Sequence, residues 1–170
     1  MAGRAPKLFA GVGNVLRRDD GAGVCAARAL ARLPLPPDVE IRDLGTAGRG
    51  AAAVLEDRIL VVIADAVDLG SEPGRVFRLT PEGIRPYAET GLAPHVTHHW
   101  LHALDETRRA GRAPETVVVL SVQVADVSLG VGLSPAVDQA LDELLRSAAA
   151  ELGMPQPPAN WPDRFRLGRD

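Results

Sequence analysis

Short apolar runs alternate with longer segments of mixed character along the chain, and this alternation predicts strands and helices in turn. The run Leu8–Val12 ends in glycine-rich sequence, and Ile59–Ala64 is an unbroken, mostly β-branched run, typical of a strand covered on both faces. Val39–Leu44 and Thr116–Val122 predict two more strands, and Arg75–Leu79 an additional one. Because helical patterns separate these strands, we expect mainly parallel pairing with right-handed crossovers.

Helical patterns fill most of the segments between the strands. The first is alanine-rich and ends at Leu30, and the second ends near Asp57. The third covers Thr97–Ala110, with Thr97 as the predicted N-cap. The last runs from the predicted N-cap Ser134 to about Leu152. The segment between the additional strand and the third helix, residues 81–92, is predicted to be a loop.

Length and composition indicate one α/β domain. The 170 residues suffice for one buried core, and we assign residues 1–152 to the domain and residues 153–170 to a proline-rich tail. A net charge of −3 gives no reason to expect nucleic acid or a membrane as a partner. There is no apolar run of about 20 residues and no signal-peptide pattern, so we expect a soluble, cytoplasmic protein. The single cysteine, Cys25, is expected to be a small buried side chain.

Two adjacent carboxylates, Asp19 and Asp20, lie in the turn that follows the first predicted strand. In open α/β sheets this edge is where ligands bind. One of the two is expected to cap the following helix and the other to be available for chemistry. Substituting Asp19 by Asn is therefore expected to cost at most about 1 kcal/mol. A dinucleotide fingerprint is excluded, because Leu16 stands at its third glycine and the two charges would repel a pyrophosphate.

Asp65 and a cluster of histidines are the other candidates for chemistry. Asp65 is expected to end the central strand, where a buried carboxylate needs a partner. All four histidines lie between residues 95 and 102. Carboxylates and an imidazole at one sheet edge suit a first-row divalent ion such as zinc or nickel. They could equally form an acid–base pair for hydrolysis, whereas Ser121 and Ser128 lack the nucleophile-elbow pattern of serine hydrolases.

Four motifs together resemble those of the hydrogenase maturation endopeptidases. They are GVGNVLRRDDGAGV at Gly11–Val24, DLGTAG at Asp43–Gly48, VIADAV at Val62–Val67 and GLSP at Gly132–Pro135. Their order and approximate spacing match the family, and the resemblance extends to about Leu152. It implies a single α/β domain with a twisted, mainly parallel sheet sandwiched between helices.

The resemblance also implies a set of metal-binding residues. By motif, the family's two acidic ligands correspond to Asp20 and Asp65, and its third ligand is a histidine near the third helix. We rank His98 above His95, because His98 takes the first helical position if Thr97 is the N-cap, and we expect the other two histidines to be surface residues. Three protein ligands would leave coordination positions for a ligand from a partner.

The implied activity is one cut near the C-terminus of a nickel–iron hydrogenase large-subunit precursor, after nickel insertion. The nickel is expected to be supplied by the precursor, although another divalent metal is possible. Either the metal activates water, or Asp20 or Asp65 acts as general base, as in an aspartyl endopeptidase. Asp43, Gly45 and Thr46 are expected to shape the substrate groove.

Two alternatives remain open at this point. One is a non-catalytic chaperone of the same fold that binds metal or precursor. The other is a self-contained zinc or cobalt peptidase acting on general peptides, although the sequence has no His-Glu-x-x-His motif.

Overall fold

The protein alternates strands and helices in chain order. The computed structural model describes residues 5–46, 50–90 and 95–158, with only the backbone at 95–97. The strands are β1 Lys7–Val12, β2 Val39–Gly45, β3 Leu60–Val67, β4 Val76–Leu79 and β5 Thr116–Gln123. The helices are α1 Ala22–Leu30, α2 Ala51–Leu55, α3 Pro81–Glu89, α4 His95–Arg109 and α5 Pro135–Leu152, with a 3₁₀ turn at Arg18–Gly21 ahead of α1.

The five strands form one sheet in the order β2-β1-β3-β5-β4. All neighbours are parallel except β4, which pairs antiparallel with β5 at one edge. One face of the sheet packs against α2, α3 and α4 around Trp100, and the other packs against α1 and α5 around Phe9. The predicted α/β domain with a mainly parallel sheet between helices is confirmed.

The prediction of a loop at residues 81–92 is wrong, because Pro81–Glu89 forms helix α3. The helix predicted at Thr97–Ala110 is therefore α4. Thr80 caps this helix by accepting a hydrogen bond from the Gly83 backbone N–H at 3.1 Å, and Pro81 occupies the first turn. The helix buries Ile84 and Ala88 against the sheet. Gly83 and Pro86 weaken its helical signal, and burial of one apolar side compensates for them.

Two predicted boundaries near the site are also wrong. Helix α4 begins at His95, so Thr97 lies inside the helix and is not its N-cap. Strand β3 continues to Val67, so Asp65 lies within the strand and not beyond its end.

The last helix ends as predicted. Ser134 caps α5, and Gly153 follows it in the left-handed conformation at φ 68°. Within the tail, residues 159–170, with Trp161 and Phe165, lie outside the described residues. A membrane-crossing helix would need more length and apolar character than any helix in the described ranges has.

Candidate active site at the carboxyl edge of the sheet

Glycines allow the start of α1 to lie directly on the ends of β1 and β3. A Cβ atom on Gly23 would stand 2.1 Å from the carbonyl oxygen of Ala64, and one on Gly11 would stand 2.1 Å from the carbonyl oxygen of Gly23. Gly13 has φ +137°, and its Cβ would stand 1.8 Å from the carbonyl oxygen of Asp20. Side chains at these positions would push the 3₁₀ turn away, so the glycines of the first motif place Asp20 at the sheet edge.

Asp20 is buried, with 3% of its surface exposed. Its Oδ2 accepts a hydrogen bond from the backbone N–H of Asn14 at 3.0 Å. Asn14 in turn accepts from the Leu16 backbone N–H through its own Oδ1 at 3.0 Å. The asparagine after the two glycines therefore closes the turn around the carboxylate.

Asp65 is also buried, at 1% exposure, and points to the α4 face of the sheet. Its Oδ2 accepts from the indole N–H of Trp100 at 2.9 Å, and its Oδ1 accepts from the Ala66 backbone N–H at 2.8 Å. In the parallel register Asp65 stands beside Ser121 of β5. The Ser121 hydroxyl is buried and has no hydrogen-bond partner among the described residues.

The fold brings the two carboxylates to one edge of two adjacent strands. Gly11 of β1 pairs with Ala64 of β3, so the chain that leaves β1 passes beside Asp65. The 3₁₀ turn that carries Asp20 also contacts β3. Buried carboxylates so placed can share a cation or pass a proton to a substrate.

Among the described residues, no group of three His, Cys, Asp or Glu side chains is arranged to hold a metal ion. The assignment of Asp20 and Asp65 as metal ligands therefore stays a prediction. Since a carboxylate has about four lone-pair sites, the Trp100 contact is compatible with a further ligand on Asp65.

The histidines fall into different environments along α4. His98, His99 and His102 are exposed. His99 donates from Nδ1 to the Thr46 carbonyl oxygen at 2.8 Å, and His102 lies 3.5 Å from Glu106. The His95 side chain lies outside the described residues, but its backbone is helical. The preference for His98 depended on a helix start at Thr97, and since Thr97 lies inside α4, His98 does not take the first helical position; which histidine is a ligand stays a prediction.

The DLGTAG segment also reaches this edge. Asp43 accepts from the Gly45 backbone N–H at 2.9 Å and from the Arg28 guanidinium at 2.9 Å. The Gly45 carbonyl accepts from the Gly13 backbone N–H at 2.7 Å. These contacts, with the His99 bond to Thr46, join β2 to the first motif and to α4. Residues 47–49 of the motif region lie outside the described residues.

Asp19 is not a cap of α1, contrary to the sequence-based expectation. It is fully buried, and its carboxylate accepts four hydrogen bonds from the opposite loop. The donors are the backbone N–H groups of Ala125 (2.8 Å), Asp126 (2.9 Å) and Ser134 (2.6 Å) and the Ser134 hydroxyl (2.8 Å). Asp19 therefore ties the turn that carries Asp20 to the loop between β5 and α5.

Cys25 is not a candidate nucleophile. It is 2% exposed in the core on the α1 face, as predicted, and burial raises the pKa of its thiol to about 12. The thiolate is the reactive form, so the group is inert near neutral pH.

Three residues that support the carboxylates were missed in the sequence. They are Asn14, Trp100 and, in its observed role, Asp19. The position of Asn14 directly after Gly-x-Gly was a usable signal, since asparagine commonly bonds backbone N–H groups in turns. The signal for Trp100 was weaker. A tryptophan at an apolar helix position is expected to be buried, and its indole N–H then needs a hydrogen-bond acceptor.

The comparisons with known proteins agree with one another. A profile of the hydrogenase maturation protease family, HycI, matches residues 24–151. The hydrogenase 2 maturation protease of Escherichia coli is 31% identical over 147 residues, which is 85% of this chain and 89% of the relative.

Solved structures give the same result. The hydrogenase maturating endopeptidase HybD from E. coli superposes with a TM-score of 0.80 at 30% identity, covering 86% of this chain and 91% of that one. A hydrogenase 2 maturation peptidase from a Thaumarchaeota archaeon superposes with a TM-score of 0.67 at 30% identity, covering 88% and 99%.

Proposed function

This chain belongs to the hydrogenase maturation proteases and is an endopeptidase, and we propose that it removes a C-terminal peptide from a nickel–iron hydrogenase large-subunit precursor after nickel insertion, in the cytoplasm. The relatives described above are named as proteases, peptidases or endopeptidases, which supports catalysis and not a chaperone role.

The observation that carries the proposal is the pair of buried carboxylates at one sheet edge. Asp20 and Asp65 are 3% and 1% exposed, and each accepts a hydrogen bond from a neighbouring N–H group that fixes its orientation. Both sit in motifs that the resemblance marks as ligands. Carboxylates kept buried at a sheet edge, despite their desolvation cost, are typical of functional sites.

In the proposed reaction, water attacks the carbonyl carbon of one peptide bond of the precursor. A carboxylate of the Asp20–Asp65 pair accepts a proton from that water, and a proton is returned to the nitrogen of the departing peptide. The hydrogen bonds from Asn14 and Trp100 hold the carboxylates in place during this transfer.

The nickel is part of the substrate in this proposal. Asp20 and Asp65 would contact the precursor's nickel, and His95 would supply the imidazole, since it lies nearer the N-terminal end of α4 than the other histidines. Carboxylate and imidazole donors suit nickel, and another divalent ion would be held by the same set. We propose that Asp43, Gly45 and Thr46 line the path of the peptide, since they border the same edge.

The nickel dependence gives a direct test. Purified protein is mixed, without added metal, with precursor from nickel-supplied cells or from nickel-starved cells. We expect the first precursor to be cut once and the second to stay intact. Equal cutting of both would contradict a nickel checkpoint, and cutting of unrelated peptides would favour a general zinc or cobalt peptidase instead.

A further inference from the structure

The most exposed large apolar side chains of the described residues lie together on two loops beside the carboxylates. Leu129 is 84% exposed, Leu16 59% and Val131 58%. Leu16 belongs to the loop between β1 and α1, and Leu129 and Val131 belong to the loop between β5 and α5. We call these three residues the docking patch.

The two loops that carry the patch are bound to each other by backbone hydrogen bonds. Arg18 N–H donates to the Gly130 carbonyl at 3.0 Å, and Gly130 N–H donates to the Leu16 carbonyl at 2.9 Å. The carboxylate of Asp19 adds four more bonds to the β5–α5 loop and its helix cap. The apolar side chains are therefore exposed on a firmly bonded platform, and contiguous exposed apolar surface is a feature of interaction sites.

The charged groups near the patch are used within the platform itself. Arg17 donates from Nε to the Val127 carbonyl at 3.1 Å, and Arg18 forms an ion pair with Asp126 at 3.2 Å. The Arg18–Asp126 pair balances its own charge, whereas exposed Arg17 keeps its positive charge at the edge of the patch. A partner segment with apolar side chains fits the three exposed apolar residues themselves.

The patch also adjoins the site. Leu16 precedes Asp20 by four residues, and its neighbour Arg17 forms a β-bridge with Gly130 between the two exposed residues of the other loop. A protein held on this surface would lie next to the turn that carries Asp20. A protein substrate is what an endopeptidase of this family requires.

We propose that the docking patch binds an apolar segment of the hydrogenase precursor next to the peptide bond that is cut. This inference rests on the proposed function, and it adds a contact that recognises the protein and not the nickel. Binding through the patch is thus expected to occur with nickel-free precursor as well.

The test measures the dissociation constant of the full-length protein and nickel-free precursor by calorimetry. The Leu129→Ser/Val131→Ser double variant is compared with Ile59→Ser, a matched control. Ile59 is an apolar side chain of similar exposure (54%) that precedes β3, at the opposite end of the strand. We expect the double variant to bind at least tenfold more weakly, since central apolar contacts dominate protein interfaces, and Ile59→Ser to bind like the wild type.

Processing kinetics with nickel-loaded precursor give a second readout. The double variant should show a raised KM with kcat retained, because Asp20 and Asp65 are intact. Binding within twofold of the wild type, an equal loss in Ile59→Ser, or no binding of precursor by the wild type would each overturn the docking patch. If the wild type binds precursor through the patch yet never cuts it, the proposed function fails and the docking surface stands.

Discussion

Replacing Asp19 by Asn gives a sharp test of how the site loop is held. In its best orientation, Asn can keep its carbonyl oxygen toward Ala125, Asp126 and the Ser134 hydroxyl, as Oδ2 does now. Its amide nitrogen then faces the Ser134 backbone N–H in place of Oδ1, which accepts from that group at 2.6 Å. One buried donor loses its acceptor, and the remaining bonds lose the negative charge that strengthens them.

The expected cost follows from these contacts. A buried donor left without an acceptor costs about 1–3 kcal/mol, and charged hydrogen bonds exceed neutral ones by about 1 kcal/mol each. Removing a buried charge recovers part of this. We therefore expect a loss of about 3 kcal/mol in the free energy of unfolding, against a total of about 5–15 kcal/mol for a domain.

Urea unfolding of the Asp19→Asn variant, followed by circular dichroism, measures this loss. Asp126→Asn serves as the control, because Asp126 lies on the same loop with its side chain 44% exposed, and its substitution should shift the unfolding midpoint far less. A loss below about 1 kcal/mol for Asp19→Asn would restore the helix-cap interpretation and refute the account of the two joined loops.

Three further results are expected. His95→Ala should abolish processing while His98→Ala retains it, measured as conversion of nickel-loaded precursor. The reverse result would show that His98 supplies the imidazole. Cys25, with its pKa raised to about 12, should react with a thiol reagent at pH 8 only in denaturant, and fast labelling of the folded protein would contradict its burial. Gly23→Ala should lower the thermal midpoint and the processing rate together, because its Cβ would stand 2.1 Å from the Ala64 carbonyl, and unchanged values would show that α1 can shift without loss.

The strands could be read from the sequence with small errors at their ends. Buried parallel strands are short, β-branched and bounded by glycine or polar residues, and these signals are local. Helix α3 was missed because Gly83 and Pro86 mask a pattern whose stability comes from packing Ile84 and Ala88 on the sheet. That packing depends on tertiary structure and leaves little local trace.

The site was predictable to the same extent that its contacts are local. Asp20 lies in a motif where Gly13 and Asn14 contact it from six or seven positions away. The Trp100 contact to Asp65 spans 35 positions, and the bonds of Asp19 span 106 to 115. These long-range contacts depend on how the helices and loops pack on the sheet. The sequence shows only the nearby helix start, so a cap was the local prediction for Asp19.

The central claim is that Asp20 and Asp65 together cut one peptide bond of the precursor. The intact mass of nickel-loaded precursor, recorded after incubation with wild type, Asp20→Asn or Asp65→Asn, tests it most directly, with circular dichroism confirming that each variant is folded. The account predicts one discrete loss of mass, from the C-terminus, with the wild type and an unchanged precursor with either variant. Normal processing by a folded Asp65→Asn or Asp20→Asn variant would contradict it.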